Sequence, residues 1–224
     1  MDTYENITIN PPKVIFLDAV GTIFGVRGSV GKVYTDIAAK FGVSVSDEEL
    51  NNVFYDVFYD SDPPMFPDVP SLEIPWHEYQ WWEAIAKKTF TQLGVIDQFT
   101  DFDSFFGELY AHFATAEPWF VYPDVSPTLE YWQQQGITLG IISNFDSRIY
   151  AVLQALYLDN FFTSVTISTE VCAAKPDSKI FQSALDKHNC RPDEVWHIGD
   201  SLEEDYQGAK NMGIRAILLQ REEY

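Results

Sequence analysis

Basic residues are scarce in this chain: 14 Lys and Arg stand against 34 Asp and Glu in 224 residues, a formal net charge of −20. Nucleic-acid binding needs clustered Lys and Arg, so that balance argues against it. It equally disfavours an anionic membrane surface. A small phosphorylated substrate stays possible, because a metal and one or two local cations dominate the field in a cleft. Cysteine is nearly absent as well. Cys172 and Cys190 show neither metal-ligand nor CxxC spacing, so a reduced pair in a cytoplasmic protein is expected. No apolar run approaches the length of a membrane span. The opening MDTYENITINPP has no basic n-region and no apolar h-region, so no signal peptide is expected. Internal repeats and low-complexity segments are also missing. Aromatic residues, by contrast, make up 16 % of the chain, which argues against disorder. The length suits one large domain, or a core with a smaller insert.

The alternation of elements predicts the architecture. Val14 to Leu17 is a short apolar run ending in Asp18, and it reads as a strand buried on both faces. Residues 23–28 read as a Gly-punctuated loop. Helices are expected over 29–41, 47–60 (Ser46 as N-cap with Glu49 three residues on), 76–93 and 101–116. Residues 61–75 carry five prolines and cannot be helical. The Trp and Tyr stripe of the third helix reads as packing surface. From Pro118 the pattern changes to alternating helices (126–135, 146–156, 177–189, 203–212) and strands (137–142, 164–168, 195–198, 215–219). That alternation predicts a parallel α/β sheet that includes the first strand, with residues 27–117 as an all-helical insertion.

Polar residues gather at the predicted strand ends. Asp18 follows the first strand, with Gly21 and Thr22 close behind; Ser143-Asn144 follows 137–142; Gly199-Asp200-Ser201 follows 195–198, with Asp205 shortly after; Lys175-Pro176 opens a helix. Each has a bland reading as a helix or turn cap. Asp18 is either such a cap or a reactive carboxylate at the mouth of the sheet. Jointly the strand ends favour one cleft, because ligands bind outside the carboxyl ends of parallel strands. His197 reads as a hydrogen-bonded core histidine, and Arg148 as a surface partner of Asp146. Residues 25–32 imitate a P-loop, but with one residue too many between the outer glycines and Val33 where Ser or Thr belongs.

The order FLDAVGT, IISN, AAKPD, HIGDSLEED resembles the haloacid dehalogenase-like hydrolase superfamily, phosphatase-type members in particular. The resemblance covers essentially the whole chain. It implies a Rossmann-like parallel α/β core (residues 1–26 and 118–224) with an inserted helical cap (27–117). It also implies Mg²⁺ as cofactor and a small phosphorylated substrate, without nucleic-acid or membrane partners. Carried over residue by residue, Asp18 would be the nucleophile that forms an aspartyl-phosphate, and Lys175 would neutralise charge around it. Thr22, Ser143 and Asn144 would bind or orient the phosphoryl group. Asp18, the Val20 backbone carbonyl and Asp200 would supply Mg²⁺ with oxygen ligands, and Asp205 would be a ligand or orient the metal shell.

One position departs from the family. Its phosphatases usually carry a second aspartate two residues after the nucleophile, which protonates the leaving group and then activates water. Here that residue is Val20. Losing a general acid–base costs about 10² to 10⁴ in rate, or roughly 3–5 kcal/mol of barrier. A slow or narrow phosphatase is therefore the expectation. The alternatives are a catalytically weak or inactive binding or regulatory protein, and a metal-independent 2-haloacid dehalogenase. Dehalogenases generally lack the Gly-Asp pair kept here and use an arginine early in the cap, where this chain offers Arg27. A phosphonatase-type Schiff base would need a cap lysine, for which Lys32, Lys40, Lys87 and Lys88 are available; surface solvation is the expected role of each.

Overall fold

The computed structural model describes residues 11–221. The expectation for the opening segment therefore lies, for residues 1–10, outside the described residues. Five parallel strands form the central sheet, in the order β5-β4-β1-β6-β7: β1 (Val14–Leu17), β4 (Thr138–Ser143), β5 (Ser164–Ile167), β6 (Val195–Gly199) and β7 (Arg215–Leu218). β1 lies at the centre, with Val14 level with Thr138 of β4 on one side and Val195 of β6 on the other.

The unbroken apolar run of β1 follows from that position. Side chains alternate across a strand, so Ile15 and Leu17 enter one core with Leu139, Ile141, Val152 and Leu153, while Val14 and Phe16 enter a second with Ile180, Phe181 and Leu185. Helices α5 (Val125–Gln134) and α6 (Ile149–Ala155) contribute to the first core, and α8 (Ser178–His188) with α9 (Gly208–Asn211) to the second. A short helix, α7 (Ser168–Val171), follows β5 directly; it was not expected, and Ser168 belongs to it rather than to the strand.

Between Val26 and Trp119 the regular structure is helical: α1 (Val30–Lys40), α2 (Asp47–Tyr59), α3 (Ile74–Gln92), α4 (Phe102–His112) and a single 3₁₀ turn at Ile96–Gln98. These helices enclose their own core around Tyr34, Leu50, Phe54, Phe90, Phe105 and Phe106. Ser46 accepts a hydrogen bond from the Glu49 N–H, as its spacing predicts. Most of the aromatic stripe on α3, including Tyr79, Trp81 and Trp82, packs against this core.

Residues 23–28 are not simply a loop. Phe24–Val26 forms β2, antiparallel to β3 (Trp119–Val121), and the Arg27 N–H extends the ribbon to the Pro118 carbonyl at 2.8 Å. The chain thus leaves for the helices and returns from them on paired strands. Two predicted helices also change. The one expected from Asp146 starts only at Ile149. The one expected over 203–212 opens as a π-helical turn, Leu202–Gln207, before α9.

Candidate active site

The sheet order reverses on either side of β1, and the carboxyl ends of β4, β1 and β6 meet at that switch point. Asp18 stands there, 7 % exposed, with its N–H donated to the Ile198 carbonyl at 2.9 Å. The chain then turns sharply. The Ala19 carbonyl accepts from the Thr22, Ile23 and Phe24 N–H groups at 3.3, 2.9 and 3.3 Å, which pushes Val20 outward to the solvent edge. Gly21 takes φ +83°, and a Cβ on it would lie 2.4 Å from Asp200 Oδ2. Only glycine fits both the backbone angle and the approach. Behind it, the Thr22 hydroxyl donates to Asp200 Oδ1 at 3.1 Å.

Lys175 closes the site from the loop after α7. Its Nζ donates to Asp18 Oδ1 and to Asp205 Oδ1, both at 2.6 Å, and the residue is 4 % exposed. The following helix is capped by Asp177, so Lys175 belongs to the approach rather than to the helix. Asp205 is committed on all sides. Its Oδ1 also meets His197 Nε2 at 2.8 Å, and its Oδ2 accepts from the Ser201 N–H at 3.1 Å. A Cβ on Gly199 would fall 2.1 Å from Asp205 Cγ, so the close seating of Asp205 depends on that glycine. His197, fully buried, is a hydrogen-bonded core histidine.

Two predicted residues take places their bland readings did not foresee. Ser201, not Asp200, caps the π turn by accepting from the Glu204 N–H at 3.2 Å, which leaves Asp200 to face the site. Asn144 points its amide at the Lys175 backbone: Oδ1 accepts from the Lys175 N–H at 2.7 Å and Nδ2 donates to the Lys175 carbonyl at 3.0 Å. Ser143 ends β4 beside Asp18's strand and is buried.

Three carboxylates gather here, and the Lys175 ammonium bonds two of them, Asp18 and Asp205. Asp18, Asp200 and Asp205 each place an oxygen within 4.8 Å of the others. Burial pushes the Asp18 carboxyl up; Lys175 opposes the rise and Asp205 adds to it. Burial likewise raises Asp200, helped by the charges of Asp18 and Asp205. Asp205 goes the other way: burial works against its charge, but Lys175 and His197 outweigh it and hold the carboxyl well below the usual range. Burial opposes the Lys175 charge, yet Asp18 and Asp205 raise its pKa above that of an ordinary lysine. Surplus negative charge among oxygen donors is the environment a hard divalent cation relieves. Asp18 and Asp200 fit direct ligation, whereas Asp205, with both oxygens engaged, fits an orienting role.

Comparison with known proteins bears on the family and the fold. A family model described as haloacid dehalogenase-like hydrolase matches residues 12–213. The chain belongs to the haloacid dehalogenase-like hydrolase family. Haloacid dehalogenase-like hydrolase domain-containing protein 3 of Danio rerio is 30 % identical over 213 residues, covering 95 % of this chain and 87 % of its own length. The rhythmically expressed gene 2 protein of Drosophila melanogaster is 31 % identical over 224 aligned positions, covering 95 % of this chain and 84 % of that protein. Among solved structures, a HAD phosphatase from Thermococcus onnurineus superposes with a TM-score of 0.63 at 26 % identity, covering 95 % of this chain and 88 % of its own. The L-2-haloacid dehalogenase of Xanthobacter autotrophicus shares the fold with a TM-score of 0.70 at 18 % identity, over 95 % of this chain and 79 % of that one.

Sequence reasoning missed several contributors. Glu204 accepts from Asn144 Nδ2 at 3.0 Å, and only its place next to Asp205 hinted at it. Arg221 donates to the Thr22 carbonyl at 2.6 and 3.1 Å from beyond the last strand, which no local pattern signals. Arg148 is not a surface residue. Its side chain is 11 % exposed, forks onto Asp146 at 2.6 and 2.9 Å, and stacks 3.9 Å from the Tyr110 ring centre. From α3, Trp82 Nε1 donates to Asp146 Oδ2 at 2.6 Å, and the buried Glu78 receives the Ser147 N–H at 3.0 Å and the Ser147 hydroxyl. This polar junction ties the helical insert to the loop after Ser143 and explains the late start of α6. Lys32, Lys40 and Lys88 pair on the surface with Asp36, Glu108 and Asp60, as solvated side chains do. Among the described residues, no helix is long and apolar enough to cross a membrane.

Proposed function

We propose that the protein is a Mg²⁺-dependent phosphatase of small phosphorylated molecules in the cytoplasm, with Asp18 as nucleophile and slow turnover because Val20 replaces the usual acid–base. The observation that carries this reading is the grouping of the Asp18, Asp200 and Asp205 carboxylates, with the Lys175 ammonium bonded to Asp18 and Asp205. The core (1–26 and 118–224) carries the chemistry, and the helical cap (27–117) covers it. Support for that division is the β2–β3 ribbon, where the chain leaves and returns side by side.

Asp18 and Asp200, with the Val20 carbonyl, would hold the metal, and Asp205 would orient its surroundings. Bound there, Mg²⁺ supplies charge neutralisation that lets a carboxylate approach a phosphate dianion. Asp18 attacks phosphorus, the bond to the leaving oxygen breaks, and an aspartyl-phosphate results. Water then attacks that phosphorus, the bond to the Asp18 oxygen breaks, inorganic phosphate leaves and the water's proton passes to solvent, slowly because Val20 supplies no base. Lys175 stays protonated and offsets charge on Asp18 and the transferring group. Ser143 offers a hydroxyl donor at the phosphoryl position; Thr22, expected to do the same, instead spends its hydroxyl proton on Asp200 and steadies that carboxylate, and Asn144 acts by fixing the Lys175 backbone. The leaving group takes its proton from water, because Val20 has none to give. Aryl and acyl phosphates, whose leaving groups need no proton, are the preferred substrates.

Hydrolysis of p-nitrophenyl phosphate with and without Mg²⁺ tests this in the wild type, Asp18→Asn and Val20→Asp. Expected are slow Mg²⁺-dependent turnover, its abolition in Asp18→Asn, and unchanged or higher rates in Val20→Asp. A folded protein that binds no Mg²⁺ and is inactive in both wild type and Val20→Asp overturns the phosphatase reading and leaves a binding protein. Metal-free halide release from a 2-haloacid would establish the dehalogenase alternative instead.

A further inference from the structure

We propose that Glu204 is a positioning residue for this site, acting through Asn144 to set where the Lys175 ammonium sits. The inference rests on the reading of Asp18 and Lys175 as a nucleophile and its charge partner. The chain of contacts is direct. Asn144 holds both polar groups of the Lys175 backbone, at 2.7 and 3.0 Å, and its remaining donor capacity goes to Glu204 Oε2 at 3.0 Å. A carboxylate accepts only, so it fixes which end of the Asn144 amide is the donor, and an ionised acceptor strengthens the bond. Lysine carries its charge on a flexible four-carbon stem. Because that stem does not fix the charge by itself, an anchored backbone narrows the positions open to Nζ and favours its meeting Asp18 and Asp205 together at 2.6 Å.

The π-helical turn delivers this arrangement. Leu202–Gln207 is wound wider than an α-helix, a deviation that recurs at functional sites. It turns two successive acidic side chains onto opposite ends of one residue. Glu204 secures the Lys175 main chain through Asn144, and Asp205 receives the Lys175 ammonium. The Ser201 hydroxyl pins the Glu204 N–H at 3.2 Å, so the turn itself is held. Glu204 is partly exposed, and its truncation leaves the three cores untouched.

The test compares wild type, Glu204→Ala, Glu204→Gln, Asn144→Ala and the Glu204→Ala/Asn144→Ala double variant. It uses Mg²⁺-dependent p-nitrophenyl phosphate turnover and the ¹⁵N NMR signal of the buried Lys175 ammonium. Glu204→Ala should lower kcat by about 10- to 100-fold with KM nearly unchanged. Glu204→Gln keeps an oxygen acceptor for Asn144 and should recover most of that loss. In the Asn144→Ala background the Glu204→Ala change should add nothing. The Lys175 signal should be sharp in wild type and Glu204→Gln, and broadened or lost in Glu204→Ala. An unaltered Lys175 signal or an unaltered kcat in Glu204→Ala overturns the proposal. If the wild type turns over no phosphate ester, the phosphatase reading alone fails. The Lys175 signal then decides: loss with rescue by glutamine supports the positioning role, and no change refutes it.

Discussion

Replacing Lys175 by methionine removes one positive charge from between two buried carboxylates while nearly preserving volume. Lys175, Asp18 and Asp205 are 4 %, 7 % and 1 % exposed, so water cannot take over the solvation that the ammonium provides. Removing one partner of a buried ionic cluster typically costs about 3–5 kcal/mol, because the remaining charge is left uncompensated. For a chain of this size that corresponds to a fall in Tm of roughly 6–20 °C. The loss should depend on pH in a definite sense. In the wild type the Asp205 carboxyl is held low against its burial by Lys175 and His197. Its contribution is complete above the unfolded pKa of about 3.9 and disappears as pH falls toward the lowered folded value. In Lys175→Met the burial of Asp18 goes unopposed by the ammonium, so its carboxyl, already raised by burial in the wild type, rises further above the unfolded value, while Asp205 keeps only His197 against its burial. The folded variant then binds more protons than the unfolded chain, and its stability falls as pH rises above about 4. The gap between the two proteins should therefore be small near pH 4 and widest at neutral pH. Urea denaturation at several pH values measures it as a shift in midpoint at constant m-value. A loss below about 1 kcal/mol at neutral pH, or a gap that does not change with pH, would refute the reasoning.

Gly21→Ala should cost about 1–3 kcal/mol of stability, because the residue sits at φ +83° and its new Cβ would meet Asp200 Oδ2 at 2.4 Å. It should also weaken Mg²⁺ binding measured by calorimetry, since Asp200 must move. Trp82→Phe removes the donor to Asp146 Oδ2 at 2.6 Å while retaining an aromatic ring. We expect a loss of about 1.5–3 kcal/mol, the worth of a hydrogen bond to a charged group, measured by chemical denaturation. An unchanged midpoint would mean that Arg148 alone satisfies Asp146.

Much of this protein was legible in its residue order. β1 could be placed because four successive apolar residues buried on both faces have no other economical explanation, and the chain around Ser46 announces its helix through side-chain chemistry. The three strand ends could be grouped because parallel strands bring their carboxyl ends together whatever the intervening sequence. Asp18, Ser143 and Asp200 gather for that reason, although the first and last are 182 positions apart, and Lys175 reaches them from the loop after α7.

Other features depend on partners distant in sequence. β2 and β3 have three residues each, too short to display alternation, and each is a strand only because the other lies beside it. Arg148 follows Asp146 as surface pairs often do; its burial comes from Trp82 and Tyr110, which α3 and α4 bring over it. The direction of the Asn144 amide depends on Lys175 and Glu204, and the Thr22 carbonyl is held by Arg221 from beyond the last strand. Residue types and their local periodicity predicted the parallel sheet, and the order of the four motifs carried the resemblance that points to the family and to Asp18. Tertiary structure alone decided which polar groups face one another, because hydrogen bonds and ion pairs act over a few ångströms and sequence separation says nothing about that distance.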